Sequence, residues 1–226
     1  MSPPARAARL LTLCALALLA GGCFSPTGPA EGDTEAQERF WTQAPEADRV
    51  DALRREILEA CPTADPAEAA DVAGVCIRYG QVLGDEYGLF RPIEYNNLAV
   101  FFGLKKRGLC YELADEMYVR LRAMKLRTLA LHRVTANADH PVDEHNVVVL
   151  TDRFVTFEPG QSVTKGVVVD AWRYAGKLRF IAVAKDHQHD WKKRAVTAPP
   201  PADLIVDDVT PQLQRAQSAS SSPGGP

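Results

Sequence analysis

The sequence has no excess of positive charge. Its 26 Lys and Arg face 29 Asp and Glu, for a formal net charge of -3. Binding a phosphate backbone calls for a concentrated surplus of cations, so the charge balance gives no reason to expect nucleic acid as a partner. Long apolar runs are also missing. The apolar run over residues 10–20 is far shorter than the roughly 20 residues a membrane-spanning helix needs. No segment repeats another, and no His or Cys spacing matches a common metal site. Cysteine is sparse, five in 226 residues. What the chain does have is ordinary globular composition, 46% hydrophobic and 24% charged, which excludes wholesale disorder. Its length is that of one domain with appendages.

Arg6 and Arg9 precede the 10–20 run, and Ala20, Gly21 and Gly22 follow it before Cys23. This is the pattern of a secretory signal peptide over residues 1–22. The run into Cys23 resembles a bacterial lipobox, with Ala20 where Leu is usual and Leu19 one place further out. The resemblance implies that Cys23 is lipidated and anchors the protein to a membrane. Phe24, standing where an inner-membrane lipoprotein carries Asp, implies the periplasmic face of the outer membrane. Residues 23–47 contain Pro26, Gly28, Pro29 and Gly32 and show no apolar period, so they are expected to form a flexible tether. Pro199, Pro200 and Pro201, and the Ser-, Gly- and Pro-rich end, make 193–226 a mostly disordered tail, with a short apolar stretch over 204–209 left unplaced. The folded domain is then 48–192.

Within it the first half is helical in pattern. Asp48 caps a helix in which Val50, Leu53, Ile57 and Cys61 recur at three- and four-residue spacing. Asp65-Pro66-Ala67-Glu68 opens a second, lined by Val72, Val75, Tyr79 and Leu83. Another begins near Cys110 and carries Leu113, Ala114, Met117, Leu121 and Met124 on one stripe. After it the pattern turns β-branched and period-two, predicting strands over 128–134, 145–151, 154–157, 166–172 and 178–184. Short connections favour antiparallel pairing. Helices first and strands later predict an α+β fold with helices packed against an antiparallel sheet.

Cys14 and Cys23 fall in the leader and the anchor, leaving Cys61, Cys76 and Cys110. In an oxidising compartment two of three would pair, and Cys61 with Cys76 is the disulfide candidate. An unbroken second helix would put Cys76 about 15 Å from the turn between the helices. That exceeds the Cα separation of about 7 Å that a disulfide tolerates. A break at Gly74 would bring it back; otherwise both are small buried core residues.

The informative stretch is Arg107-Gly108-Leu109-Cys110-Tyr111-Glu112. Gly108 suits a sharp turn and Cys110 then falls at a helix start, where free N–H groups and the helix dipole stabilise a thiolate. The same N–H groups suit the oxyanion formed when a thiolate attacks a carbonyl. Glu112, Asp115 and Glu116 oppose thiolate formation, while Lys105, Lys106 and Arg107 add positive charge nearby. A nucleophilic cysteine needs a base, and the base an orienting partner. His145 opens one strand. Asp170 closes another, after three valines, and must find a donor if buried. Trp172 is placed to shield the site, and Tyr111 is a second substrate-site candidate. Asn96 and Asn97 are oxyanion candidates upstream, although Asn is common in turns. Among rival histidines, His140 lies in a loop and His132 reads as a core residue. His187 and His189, with Asp186 and Asp190, read as an exposed turn and not a metal site.

The order Cys110, His145, Asp170, with Gly-x-Cys opening a helix and Asp-x-Trp closing a strand, resembles the transglutaminase-like branch of the papain-like cysteine enzymes. The resemblance covers about residues 94–192. It implies a papain/transglutaminase-like core, Cys110 as nucleophile, His145 as base and Asp170 as its partner. It also implies thioester chemistry on an amide without metal or other cofactor. The Trp that often follows the histidine in the family is absent, and Asp-Ala-Trp replaces the common Asp-Pro. Envelope peptidases with a Cys-His-His site would need a second histidine in place of Asp170. Two functions remain open. One is a hydrolase or acyltransferase acting on a peptide, protein or peptidoglycan amide in the cell envelope. The other is a catalytically silent lipoprotein that uses the same fold to bind a partner.

Overall fold

A computed structural model describes residues 32–139 and 143–194. The expected leader, the Cys23 anchor, the apolar stretch over 204–209 and His140 lie outside the described residues. Five helices come first: α1 (Glu35–Gln43), α2 (Glu46–Ala60), α3 (Pro66–Glu86), α4 (Glu94–Phe101) and α5 (Cys110–Ala123). The strands β1 (Leu129–Ala136), β2 (His145–Asp152), β3 (Val167–Asp170), β4 (Arg179–Ala182) and β5 (Lys192–Lys193) follow. All strand pairs are antiparallel, in the order β4-β3-β2-β1-β5. The fold is α+β, as the pattern predicts.

The sheet is covered on both faces, and β2 shows why its sequence is an unbroken apolar run. Val148 and Leu150 face the helical layer with Leu53, Ile57, Ile77, Leu113 and Leu121. Val147 and Val149 face a second cluster with Val134, Val163, Val168, Ile181 and Trp191. A strand buried on both sides has no room for polar alternation. The helical layer is tied to β1 by one carboxylate. Glu68, in the first turn of α3, accepts from the backbone N–H groups of Arg127, Thr128 and Leu129 at 2.7–2.9 Å, and from the Thr128 hydroxyl at 2.8 Å. Asp65 caps the same helix by accepting from the N–H groups of Ala67 and Glu68. At its other end α3 packs so closely on the turn after Trp172 that a Cβ at Gly84 would stand 2.7 Å from the Cα of Gly176.

Four expectations need correction. Residues 35–43 are helix and not tether: Thr34 and Gln37 form a capping box, and Trp41 is buried against Tyr174 and Phe180. The folded unit therefore begins by Asp33 and runs through β5, whose Lys193 pairs with Val134. Cys61 and Cys76 are free buried thiols. Helix α3 runs unbroken through Gly74, and burial pushes both thiols up to about 12, which favours the protonated form. Residues 154–157 are not a strand; the chain turns after β2, leaving Phe154 exposed while Phe157 packs edge-on against His132. Among the described residues no helix is long and apolar enough to cross a membrane.

Candidate active site

The turn before α5 is built to hold one conformation. Gly108 has φ 129°, a region open to glycine. Glu112 reaches back to accept from the N–H groups of Gly108 at 2.7 Å and Leu109 at 2.9 Å. Arg107 bridges Glu112 and Glu116, each at 3.2 Å. Glu116 is buried and also accepts from Tyr87. The acidic residues expected to oppose a thiolate are thus engaged by two cations, Glu112 and Glu116 by a shared Arg107 and Asp115 by Arg133. Cys110 is the first residue of α5 and nearly buried.

At the end of the sheet where β2 begins, the carboxylate of Asp170 uses both oxygens. Oδ1 accepts from the N–H groups of Trp172 at 2.9 Å and Arg173 at 3.1 Å, shaping the turn that leaves β3. Oδ2 bonds the Nε2 of His145 at 2.8 Å and lies 3.5 Å from the Arg173 guanidinium. Burial would push this carboxyl up; the His145 ring, with Arg173 and Arg179, outweighs burial and holds it far below the usual carboxylate range. Burial pushes the His145 imidazole down; Asp170 works against that fall, and Arg173 and His189 add to it. Trp172 spans the two halves of the site. Its indole N–H donates to the Gly108 carbonyl at 2.9 Å, and its ring centroid lies 5.5 Å from that of His145.

The sulfur of Cys110 meets β2 at its first residues. It donates to the Glu144 carbonyl at 3.6 Å and receives the Asn146 side-chain amide at 3.8 Å. It therefore touches the residues on either side of His145 and makes no hydrogen bond to the imidazole among the described residues. Burial pushes the thiol up; the backbone and side-chain N–H groups of Asn146 oppose that rise, and Asp170 and Glu144 reinforce it. The resting site is a neutral thiol beside a neutral imidazole, not the lowered thiol expected from a helix start. Burial outweighs the two Asn146 donors here.

A groove of about 670 Å³ opens onto His145 and Trp172, lined also by Glu94, Asn97, Glu144 and His189. Cys110 and Tyr111 do not line it; Tyr111 is exposed beside the cysteine. Asn96 is not an oxyanion donor. It is fully buried on α4, its Nδ2 spent on the carbonyls of Phe90 and Ile93 and its Oδ1 on Lys105. Asn97 faces the groove, where its Oδ1 is buried and has no hydrogen-bond partner among the described residues.

The expected turn over 186–190 is exposed at His187, Gln188 and Asp190, but Asp186 is buried and His189 half-buried, and these two form a second layer of the site. His189 stacks on Trp191 with centroids 4.6 Å apart, bonds Asp186 through Nδ1 at 3.0 Å, and meets Arg173 at Nε2. Its ring lies 6.0 Å from that of His145. Asp186 in turn shares the buried guanidinium of Arg179 with Asp33. His132 is a core residue, buried and bonded to Thr151. Among the described residues no group of three or more His, Cys, Asp or Glu is arranged to hold a metal ion. Comparison with protein-family models, with curated proteins and with solved structures returned no match.

Proposed function

We propose that the domain is a transglutaminase-like cysteine enzyme, an amide hydrolase or acyl transferase that works through a thioester on Cys110. The observation that carries this reading is the buried Asp170–His145 pair beside the Cys110 sulfur. Because Nε2 is committed to the carboxylate, Nδ1 is the ring nitrogen left with a lone pair. Productive geometry requires the thiol to leave the Glu144 carbonyl and turn to that nitrogen, a tightening that substrate binding brings about in many such sites. The proton then passes from sulfur to Nδ1, and the thiolate attacks the amide carbonyl carbon. An S–C bond forms, and the carbonyl electron pair moves to oxygen. Collapse expels the amine, which takes the proton from the imidazolium. Water or a second amine then releases the acyl group.

The substrate class is a peptide, protein or peptidoglycan amide. On the strength of residues 1–23 alone we place the domain in the cell envelope, held to a membrane by a lipid on Cys23. The alternative, a silent binding module with this fold, draws on the missing sulfur–imidazole bond and on the raised thiol.

The test is acylation by p-nitrophenyl acetate. We expect a burst of nitrophenolate with the acetyl group on Cys110, and a loss of about 10²-fold or more in His145→Ala. His145 must be neutral to accept the proton, and its folded pKa lies below the ordinary 6.5. The rate should therefore hold as pH falls to 6.5 and drop only below it. A Cys110 that is not acylated, or is acylated equally without His145, leaves the binding-module reading.

A further inference from the structure

We infer that Asn146 is a further catalytic residue: aimed by Arg194, its side-chain amide stabilises negative charge on the Cys110 sulfur. This rests on the thiol-enzyme reading, and it is a different role from the oxyanion one for which Asn96 and Asn97 were the sequence candidates, because the charge it meets is on sulfur.

Asn146 is buried, and each of its side-chain polar atoms has a partner. Oδ1 accepts from Arg194 Nη1 at 3.0 Å. Nδ2 donates to Glu144 Oε1 at 2.8 Å and to the Cys110 sulfur at 3.8 Å. The orientation of the amide follows from charge. A flipped amide would set its oxygen against the Glu144 carboxylate and its NH₂ against a guanidinium, repulsive at both ends. The sulfur is thus offered one N–H by the side chain and, from the same residue, the backbone N–H. The Glu144 carbonyl does the opposite. It accepts from the thiol and holds the proton on sulfur, so ionisation loses that bond and leaves the Asn146 donors as the compensation.

The charged groups around the sulfur are divided. Glu144 before β2 and Asp170 on β3 oppose ionisation. Arg194 backs the amide from the β5 side, and Arg133 on β1 is paired with Asp115 of α5. Arg107 at the helix start is held by Glu112 and Glu116, and the His145 ring is neutral at rest. Among the described residues Asn146 is the side chain that hydrogen-bonds the sulfur, and it donates.

The test is the pH profile of iodoacetamide alkylation, followed at the Cys110 peptide of the full chain by mass spectrometry. Alkylation needs thiolate but forms no oxyanion and needs no acyl group, so it reads ionisation apart from turnover. Asn146→Asp keeps the shape and the Arg194 contact but replaces the donor with a carboxylate. We expect its profile to move to higher pH by about one unit, a roughly tenfold slower alkylation at pH 7. Asn146→Ala should move the same way by less. Arg194→Gln, which leaves Asn146 in place, should give a smaller shift in that direction and serves if the Asp variant does not fold. Folded variants with the wild-type profile overturn the assignment, even where p-nitrophenyl acetate still acylates Cys110 through His145. Shifted profiles without any acylation uphold it while removing the enzyme.

Discussion

Cys110→Ala should lower acyl turnover by at least about 10³-fold while leaving the melting temperature nearly unchanged. The two halves of this expectation have separate causes. On the proposed mechanism the sulfur forms the thioester, and among the described residues no neighbouring side chain can replace it: His145 would serve as the base and Asp170 is fully used by four groups. The fold asks little of the thiol. Its bonds to the Glu144 carbonyl and the Asn146 amide are long, and Asn146 keeps Glu144 and Arg194 as partners when the sulfur is gone. Ala is also a better helix former than Cys. The measurement is nitrophenolate release beside a thermal melt. A folded Ala variant that still turns over removes the thiol mechanism; a variant that unfolds shows that the thiol is structural.

The second large effect concerns stability. Arg179→Met should cost about 3–5 kcal/mol, because the guanidinium is shared by two buried carboxylates that would then face each other without a cation, Asp33 keeping the Tyr174 hydroxyl and Asp186 keeping His189 and Trp191. Asp33 accepts at 2.8–2.9 Å and Asp186 at 3.3 Å. For a domain of this size that corresponds to a melting temperature lower by roughly 10 °C. The loss should reach the site as well, since Asp186 also orients His189 and accepts from the Trp191 indole at 3.0 Å. Burial pushes the Asp186 carboxyl up, but His189 and Arg179 outweigh it and hold it well below its ordinary value. Its contribution is therefore present at neutral pH and lost in acid. The variant's deficit should accordingly shrink as pH falls and Asp186 takes a proton. Denaturant unfolding at neutral and acid pH checks both parts; equal stability at neutral pH would mean that the carboxylates find other partners.

Much of the fold is legible in the chain because local signals and burial agree. Asp65-Pro66 marks the start of α3, and the even and odd residues of β2 both find apolar partners. Helix α1 escaped because its caps are polar and its anchorage rests mainly on Trp41, with Gly and Pro on either side suggesting a tether. Helix α4 escaped for the opposite reason. Its apolar residues Tyr95, Leu98 and Phe101 are exposed, so no period points to a core. Cys110, His145 and Asp170 stand out because each sits where its chemistry is out of place in a core: a helix start, a strand start and a strand end. Asn146 and His189 do not stand out. Asn146 lies on the opposite side of the pleat from His145, and becomes a neighbour of the sulfur only because α5 meets the strand at its first residues. His189 sits in a largely exposed polar stretch, and the Asp186 that anchors it is buried through Arg179, whose other partner Asp33 is far away in sequence.

Two of the protein's three tryptophans flank one imidazole: Trp172 lies 5.5 Å and Trp191 5.9 Å from the ring of His145. An imidazolium quenches indole emission more strongly than the neutral ring does. The chain therefore carries a built-in optical gauge of the charge on His145. Emission should dim as acid is added below pH 6.5, and in Trp191→Phe, which removes the indole stacked on His189, the remaining dimming should vanish on His145→Gln. A proton's arrival at His145 can thus be watched by light alone, with no substrate present.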